Sequence, residues 1–279
     1  MSGHAAWCLT CLMACAVPRQ EAPVAVPAAA EVATAADGPP KPYASAEALL
    51  EALEGSTRNL RDFQATVVYD RLDAITEDRE RRIGRIVLEQ DRSDPPRRRF
   101  AIAFEQFIDA AGHASPQPQR FAFADGWLVE FDDARKQSIE RQLSEPGARS
   151  DPLRLGEGPM PLPVGQRAEE VRRRYTVSPA PAPDAALLKR LEDVQGLVLV
   201  PKPGTGQDED FEEVRIWYDL RTLAPVGVVA RLKGGDVKTV LLREVVVNGG
   251  LDESARASLS ISVPADWRRD VRPLRVTVP

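Results

Sequence analysis

The chain has 279 residues of nearly balanced charge, 37 Lys and Arg against 42 Asp and Glu, for a net charge of −5. That balance excludes the basic excess by which a nucleic-acid binder neutralises phosphates, and 43% hydrophobic residues supply ample core for one large domain or two small ones. Cys8, Cys11 and Cys15 have no second Cys pair and only His4 and His113 beside them, which leaves a metal or redox reading without partners.

The apolar run Ala5–Ala14 has the length of a signal-peptide core and is too short to span a bilayer, which needs about 20 residues. Its end, Leu12-Met13-Ala14-Cys15, resembles a bacterial lipobox, in which cleavage before the Cys frees a thiol and an amine for acylation. The segment Met1-Ser2-Gly3-His4 departs from that pattern in carrying no Lys or Arg, a feature also open to a plain secretory signal. Residues 1–14 are therefore expected to be a lipoprotein signal peptide, and Cys15 the lipidated residue. Ala16 stands where Asp is the usual inner-membrane retention signal of enterobacteria, which favours the outer membrane as destination. Residues 15–44 are rich in Ala and Pro and read as a tether.

The globular part is expected from residue 45 to 279 as a single domain. Ser45 is a helix N-cap for Ala46–Leu53, with Gly55 as the stop. Beyond it the apolar period falls to two: Phe63, Ala65, Val67 and Tyr69, then Phe100, Ile102 and Phe104, then Trp127, Val129 and Phe131 alternate with other residues. Further strands are expected at Ile83–Glu89, Arg120–Ala124, Lys136–Leu143, Gly196–Pro201, Glu213–Leu220, Val226–Leu232 and Val237–Val247, separated by turns such as Asp125-Gly126 and Gly234-Gly235-Asp236. The result is a mainly β fold with some α, in which about ten or eleven strands form one antiparallel meander able to curl around a helix or a ligand.

An excursion interrupts the strands. Pro146–Val164 is rich in Pro and Gly, Gly165–Tyr175 reads as a helix, Ser178–Pro183 as a break and Ala185–Leu191 as a short helical piece. It is either a lid over the concave face or a surface insertion. Arg97–Arg99 and Arg172–Arg174 read as polar ends of a strand and of a helix. Asp132-Asp133 is a hairpin turn and not a carboxylate pair, His113 sits in a loop, and Gly204-Thr205-Gly206 lacks the ending of a phosphate-binding loop.

Several of these segments together carry a resemblance. Asp125 through Gln137 (DGWLVEFDDARKQ) resembles the Asp-Gly, aromatic strand, turn and Gln hairpin of the outer-membrane lipoprotein carrier LolA and its receptor LolB. The helix before Leu60-Arg61-Asp62-Phe63, the Gly84-Arg85-Ile86-Val87-Leu88 strand, Leu197 through Lys202, Tyr218-Asp219 through Val226, and Val247-Asn248 with Leu251 are similar to that family in the same order. The resemblance spans residues 45–267 and implies an incomplete, strongly curved antiparallel β-barrel with helices covering the concave face and an apolar cavity for acyl chains.

It places Phe63, Val67, Ile86, Leu88, Phe100, Ile102, Phe104, Trp127, Val129 and Phe131 in that cavity, although aromatic stripes of this kind equally pack ordinary cores. It marks Arg92 for the family's lid-closing Arg, with Arg97–Arg99 as competitors. An acylated Cys15 departs from soluble LolA and is closer to LolB. The function so implied is a cell-envelope lipoprotein that binds acyl chains of lipids or lipoproteins for transport, reception or sensing. The alternative is a docking or regulatory module for another envelope protein, on the same fold without a lipid ligand. No catalytic set, no cofactor and no metal site is expected.

Overall fold

The computed structural model describes residues 40–91, 93, 97–145 and 167–274. Cys15, Arg92, the signal peptide, most of the tether and the Pro146–Val164 segment lie outside the described residues. Helix α1 (Ala46–Arg58) is capped by Ser45, whose side chain accepts from the Ala48 amide at 3.1 Å. Ala46, Leu49, Leu50 and Leu53 fall on one face at helical spacing and are buried. Each buried Leu contributes about 2 kcal/mol. The helix does not stop at Gly55. That residue lies exposed within it, and the Ser56 and Thr57 hydroxyls bond back to the Leu53 carbonyl at 2.8 and 2.9 Å before the helix ends at Asn59.

The sheet has twelve strands: β1 (Asp62–Leu72), β2 (Arg79–Gln90), β3 (Arg98–Ile108), β4 (Ala114–Ala124), β5 (Trp127–Asp132), β6 (Gln137–Gln142), β7 (Tyr175–Ala180), β8 (Val194–Pro201), β9 (Phe211–Asp219), β10 (Pro225–Leu232), β11 (Val237–Val247) and β12 (Arg268–Arg272). Three short helices complete it: α2 (Ala168–Arg174) before β7, α3 (Gln207–Asp210) before β9 and α4 (Glu253–Ser258) after β11. The strand order is β12-β6-β5-β4-β3-β2-β1-β11-β10-β9-β8-β7, so the sheet is open, with edges at β12 and β7. The meander is thus broken twice, after β6 and again after β11, from which the chain returns to place β12 beside β6. After β6 the chain crosses to the far edge and returns through β7–β11, until β11 closes on β1 from Phe63↔Val247 to Leu72↔Val237.

Three local readings change. Tyr175–Ala180 is a strand, not a helix end followed by a break, because an edge position leaves the missing amide of Pro179 without cost to the ladder. Ala185–Leu191 is a run of turns, with Leu188 and Leu191 amides bonded three residues back. β12 was not expected at all: its sequence Arg268-Arg269-Asp270-Val271-Arg272 has no alternation, and it pairs parallel to β6. The Asp125-Gly126 turn forms as read, with φ of 50° and 84°, and a Cβ on Gly126 would lie 2.4 Å from the Ser144 carbonyl oxygen.

Alternation divides the side chains between two faces. On one, α1 and α2 cover a single cluster that draws residues from β5 at one side to β7 at the other. A flat sheet would spread those ten strands over about 40 Å, whereas a 13-residue helix is about 20 Å long. The sheet therefore curls around the helices. The opposite face carries smaller clusters: Val87 and Ala101 under Leu251, Ala255 and Leu259; Ala122, Val129 and Phe131 under Trp267; and Trp217 and Val229 under Leu188.

Candidate functional site: an apolar cavity beside the first helix

Phe63, Val67, Ile86, Leu88, Phe100, Ile102 and Phe104 all belong to the helix-covered cluster and are at most 4% exposed. They mostly pack one another. Phe100 stacks on Phe123 with ring centres 5.7 Å apart, and Phe104 meets Phe121 edge-on at 6.5 Å. Val129 and Phe131 lie on the other face, where Arg120 stands 3.7 Å over the Phe131 ring and Trp267 meets it at 6.3 Å. Half-buried Trp127 shares their parity, so the strand's contribution to the helix side is Leu128. The error has a physical origin: β5 is buried on both faces, and the larger residues sit on the side closed by the C-terminal segment.

One opening on the helix-covered face lies beside α1. A cavity of about 250 Å³ lies between the last turn of α1, the α2 residue Val171, the start of β1, strands β8 and β9, and the end of β11. Leu50, Leu53, Phe63, Leu197, Leu199 and Tyr218 supply much of its wall, and Ser56, Thr57, Asn59, Thr222 and Asn248 are its polar members. Among the described residues no Asp, Glu, Lys, Arg or His lines it. Phe63 is the one expected cavity residue that does.

Two connections position the rim. In the β9–β10 turn the Asp219 carboxylate accepts from the amides of Arg221 and Thr222 and from the Thr222 hydroxyl, and the Leu223 amide returns to the Asp219 carbonyl. This holds Leu223 at φ 57°, a left-handed conformation that is unusual for a bulky residue, with its side chain against the cavity. Asn248 follows β11 at φ 57°, which Asn tolerates. Its Oδ1 accepts from the Arg61 amide at 2.7 Å and its Nδ2 donates to the Asn59 carbonyl at 3.0 Å, tying the exit of α1 to the exit of β11. The sequence marked both stretches only through the resemblance, as a hairpin and as the exit of the closing strand, and neither pattern says what the connection encloses.

Tyr218 is buried, and burial pushes its hydroxyl well above the ordinary phenol range, so it stays protonated. Its neighbour Trp217 points to the other face and donates to the Pro181 carbonyl at 2.9 Å. The site offers apolar area, a neutral phenol and a polar rim. A second cleft of about 280 Å³ on the opposite face is lined by Asp70, Arg79, Asp184 and Arg231 among apolar residues. Asp70 there is already engaged by Arg81 at 2.7 Å and Arg79 at 3.5 Å.

The remaining flagged residues have ordinary roles. Arg98 donates to Gln90 and Arg99 pairs with Glu89 across the β2–β3 ladder, while Arg172 pairs with Glu47 and Glu51 and joins α2 to α1. Asp132 accepts from the Arg135 amide inside the hairpin turn, and exposed His113 lies 3.3 Å from Asp109 in its loop.

No family model and no curated protein matches the chain. Among solved structures it is similar to an uncharacterized conserved protein of Thermus thermophilus, at 13% identity over 80% of this chain and 97% of that one, with a TM-score of 0.44. It is also similar to a LolA superfamily protein of Nitrosomonas europaea, at 14% identity over 76% and 97%, with a TM-score of 0.32. A structure of the Pseudomonas aeruginosa MucA/MucB complex is similar as well, at 15% identity over 78% of this chain and 61% of that one, with a TM-score of 0.39. At these identities a LolA-like likeness assigns neither residue roles nor activity; those rest on the cavity itself.

Proposed function

We propose that this protein is an acyl-chain-binding lipoprotein of the bacterial cell envelope, held on the periplasmic face of a membrane, the outer one in preference, by lipid on Cys15. The observation that carries the reading is the cavity of about 250 Å³ on the helix-covered face, with a wall of Leu50, Leu53, Phe63, Leu197 and Leu199, a polar rim and no charged side chain among the described residues. A preformed apolar cavity takes chains by burial and needs no polar readout. At about 30 Å³ per water-sized group, it admits about eight methylenes. They contribute about 6 kcal/mol before the costs of association, so exchange is rapid and tight holding needs contacts outside the cavity.

That length is a short segment of one acyl chain. The docking-module alternative has less support, because the large exposed apolar residues Ile75, Val200, Val246, Val271 and Leu274 are scattered over separate elements and form no broad patch among the described residues. The test is titration of a fluorescent fatty-acyl probe into the full-length chain carrying Cys15→Ser, which keeps it unacylated. Saturable binding, weakened tenfold or more by the cavity-filling Leu60→Trp while circular dichroism stays native, is the expected result. Equal binding by both proteins would overturn the assignment of the site.

A further inference from the structure

We infer that the cavity selects a single acyl chain bearing a neutral carbonyl, an ester or an amide, over the free carboxylate of a fatty acid. This rests on the acyl-chain reading above and adds what the ligand's polar end must be.

Three observations converge. First, Tyr218 is 6% exposed, lines the cavity, and has no hydrogen-bond partner for its hydroxyl among the described residues. The one sealed side-chain oxygen without a partner among those residues is on Asp208, so the Tyr218 hydroxyl keeps access to space, and Tyr218 is a wall residue of the cavity. A donor that makes no bond within the protein is available to a ligand acceptor that reaches it. Second, the walls contain no cation among the described residues. A carboxylate drawn in to meet the hydroxyl would lose its hydration with nothing to offset it, whereas a neutral carbonyl loses far less and gains the phenol as donor. Third, the volume admits about eight non-hydrogen atoms at about 30 Å³ each, the size of a segment of one acyl chain.

The rim fits this arrangement. The Ser56 and Thr57 hydroxyls already donate to the Leu53 carbonyl, so the nearest polar groups at the mouth are largely committed within the protein, and Tyr218 is the free donor inside. Esters of lipid headgroups and amides of acylated amines share this chemistry.

The experiment is displacement of the fluorescent acyl probe from the full-length Cys15→Ser chain by four matched ligands: methyl octanoate, N-methyloctanamide, octanoate at pH 8, and nonane, which has no acceptor. The ester or the amide should displace the probe at roughly tenfold lower concentration than octanoate or nonane, and whichever of the two is stronger names the source. Tyr218→Phe should erase that preference. The variant keeps the ring and breaks no internal hydrogen bond, and its thermal midpoint reports that it is folded. Octanoate displacing as well as the ester, or a preference that survives Tyr218→Phe, would overturn this inference and leave the acyl-chain site standing. If none of the four ligands competes and the probe itself does not bind, the acyl-chain reading falls, and this inference with it.

Discussion

Asn248 shows how much of the cavity depends on single side chains. Its amide group bonds to Arg61 and Asn59, its own amide donates to the Asp62 carbonyl at 2.9 Å, and its φ of 57° suits Asn better than any branched residue. Asn248→Ala removes two side-chain bonds and places a Cβ-bearing residue without that local tolerance at positive φ. We expect a loss of about 2 kcal/mol in urea unfolding, with Asn248→Gly costing less because it keeps the backbone freedom. Equal losses would show that the conformation contributes nothing. Leu223 is the counterpart across the rim, held at φ 57° by the Asp219 turn. Replacing it by Gly relieves that backbone but enlarges the cavity mouth, so Leu223→Gly should change stability by less than about 1 kcal/mol and still weaken probe binding.

At the scale of elements, legibility followed the burial pattern. Strands with one dominant apolar face, such as β1 and β3, were placed correctly from alternation, and Ser45 capped α1 where its side chain predicted. β5 misled because both of its faces are covered, and the cover on Val129 and Phe131 comes from Trp267 and its neighbours, more than a hundred residues downstream. β12 was invisible for a related reason: what fixes it is pairing and charge, not apolar spacing. Arg269 donates two bonds of 2.6 Å to buried Glu140, whose carboxylate also accepts from Ser138 at 3.0 Å.

The Arg269 bonds hold Glu140 below its ordinary carboxylate range. A depressed native pKa means that this attachment is complete at pH above the unfolded carboxylate value and is lost as pH falls through the native one. Hydrogen exchange should therefore show the amides of residues 268–272 losing protection in acid while the central strands keep theirs. Glu140→Gln should lose the same protection at neutral pH. Retained protection in the variant would assign β12 to backbone pairing alone.

For the molecule as a whole, a curled sheet was legible in its hairpins and helices over one face in the resemblance, whereas the two crossovers, α4 on the opposite face and the cavity were not. Seven of the residues expected to hold a ligand are helix-side residues, but only Phe63 among them touches the open volume; the others fill the interior with their own rings and methyl groups. Parity tells which face a side chain joins. Whether that face is full or hollow depends on volumes contributed by strands distant in sequence, here Leu197, Leu199 and Tyr218 against Leu53. The same closure explains why the acyl-chain proposal is for one short segment and not for a broad barrel lumen.

Native mass spectrometry of the full-length Cys15→Ser chain, purified from a membrane-containing host, tests that proposal most directly. The account predicts one retained molecule of single-acyl mass per protein, absent from Leu60→Trp. A ligand-free mass that stays unchanged after addition of methyl octanoate or N-methyloctanamide would contradict it.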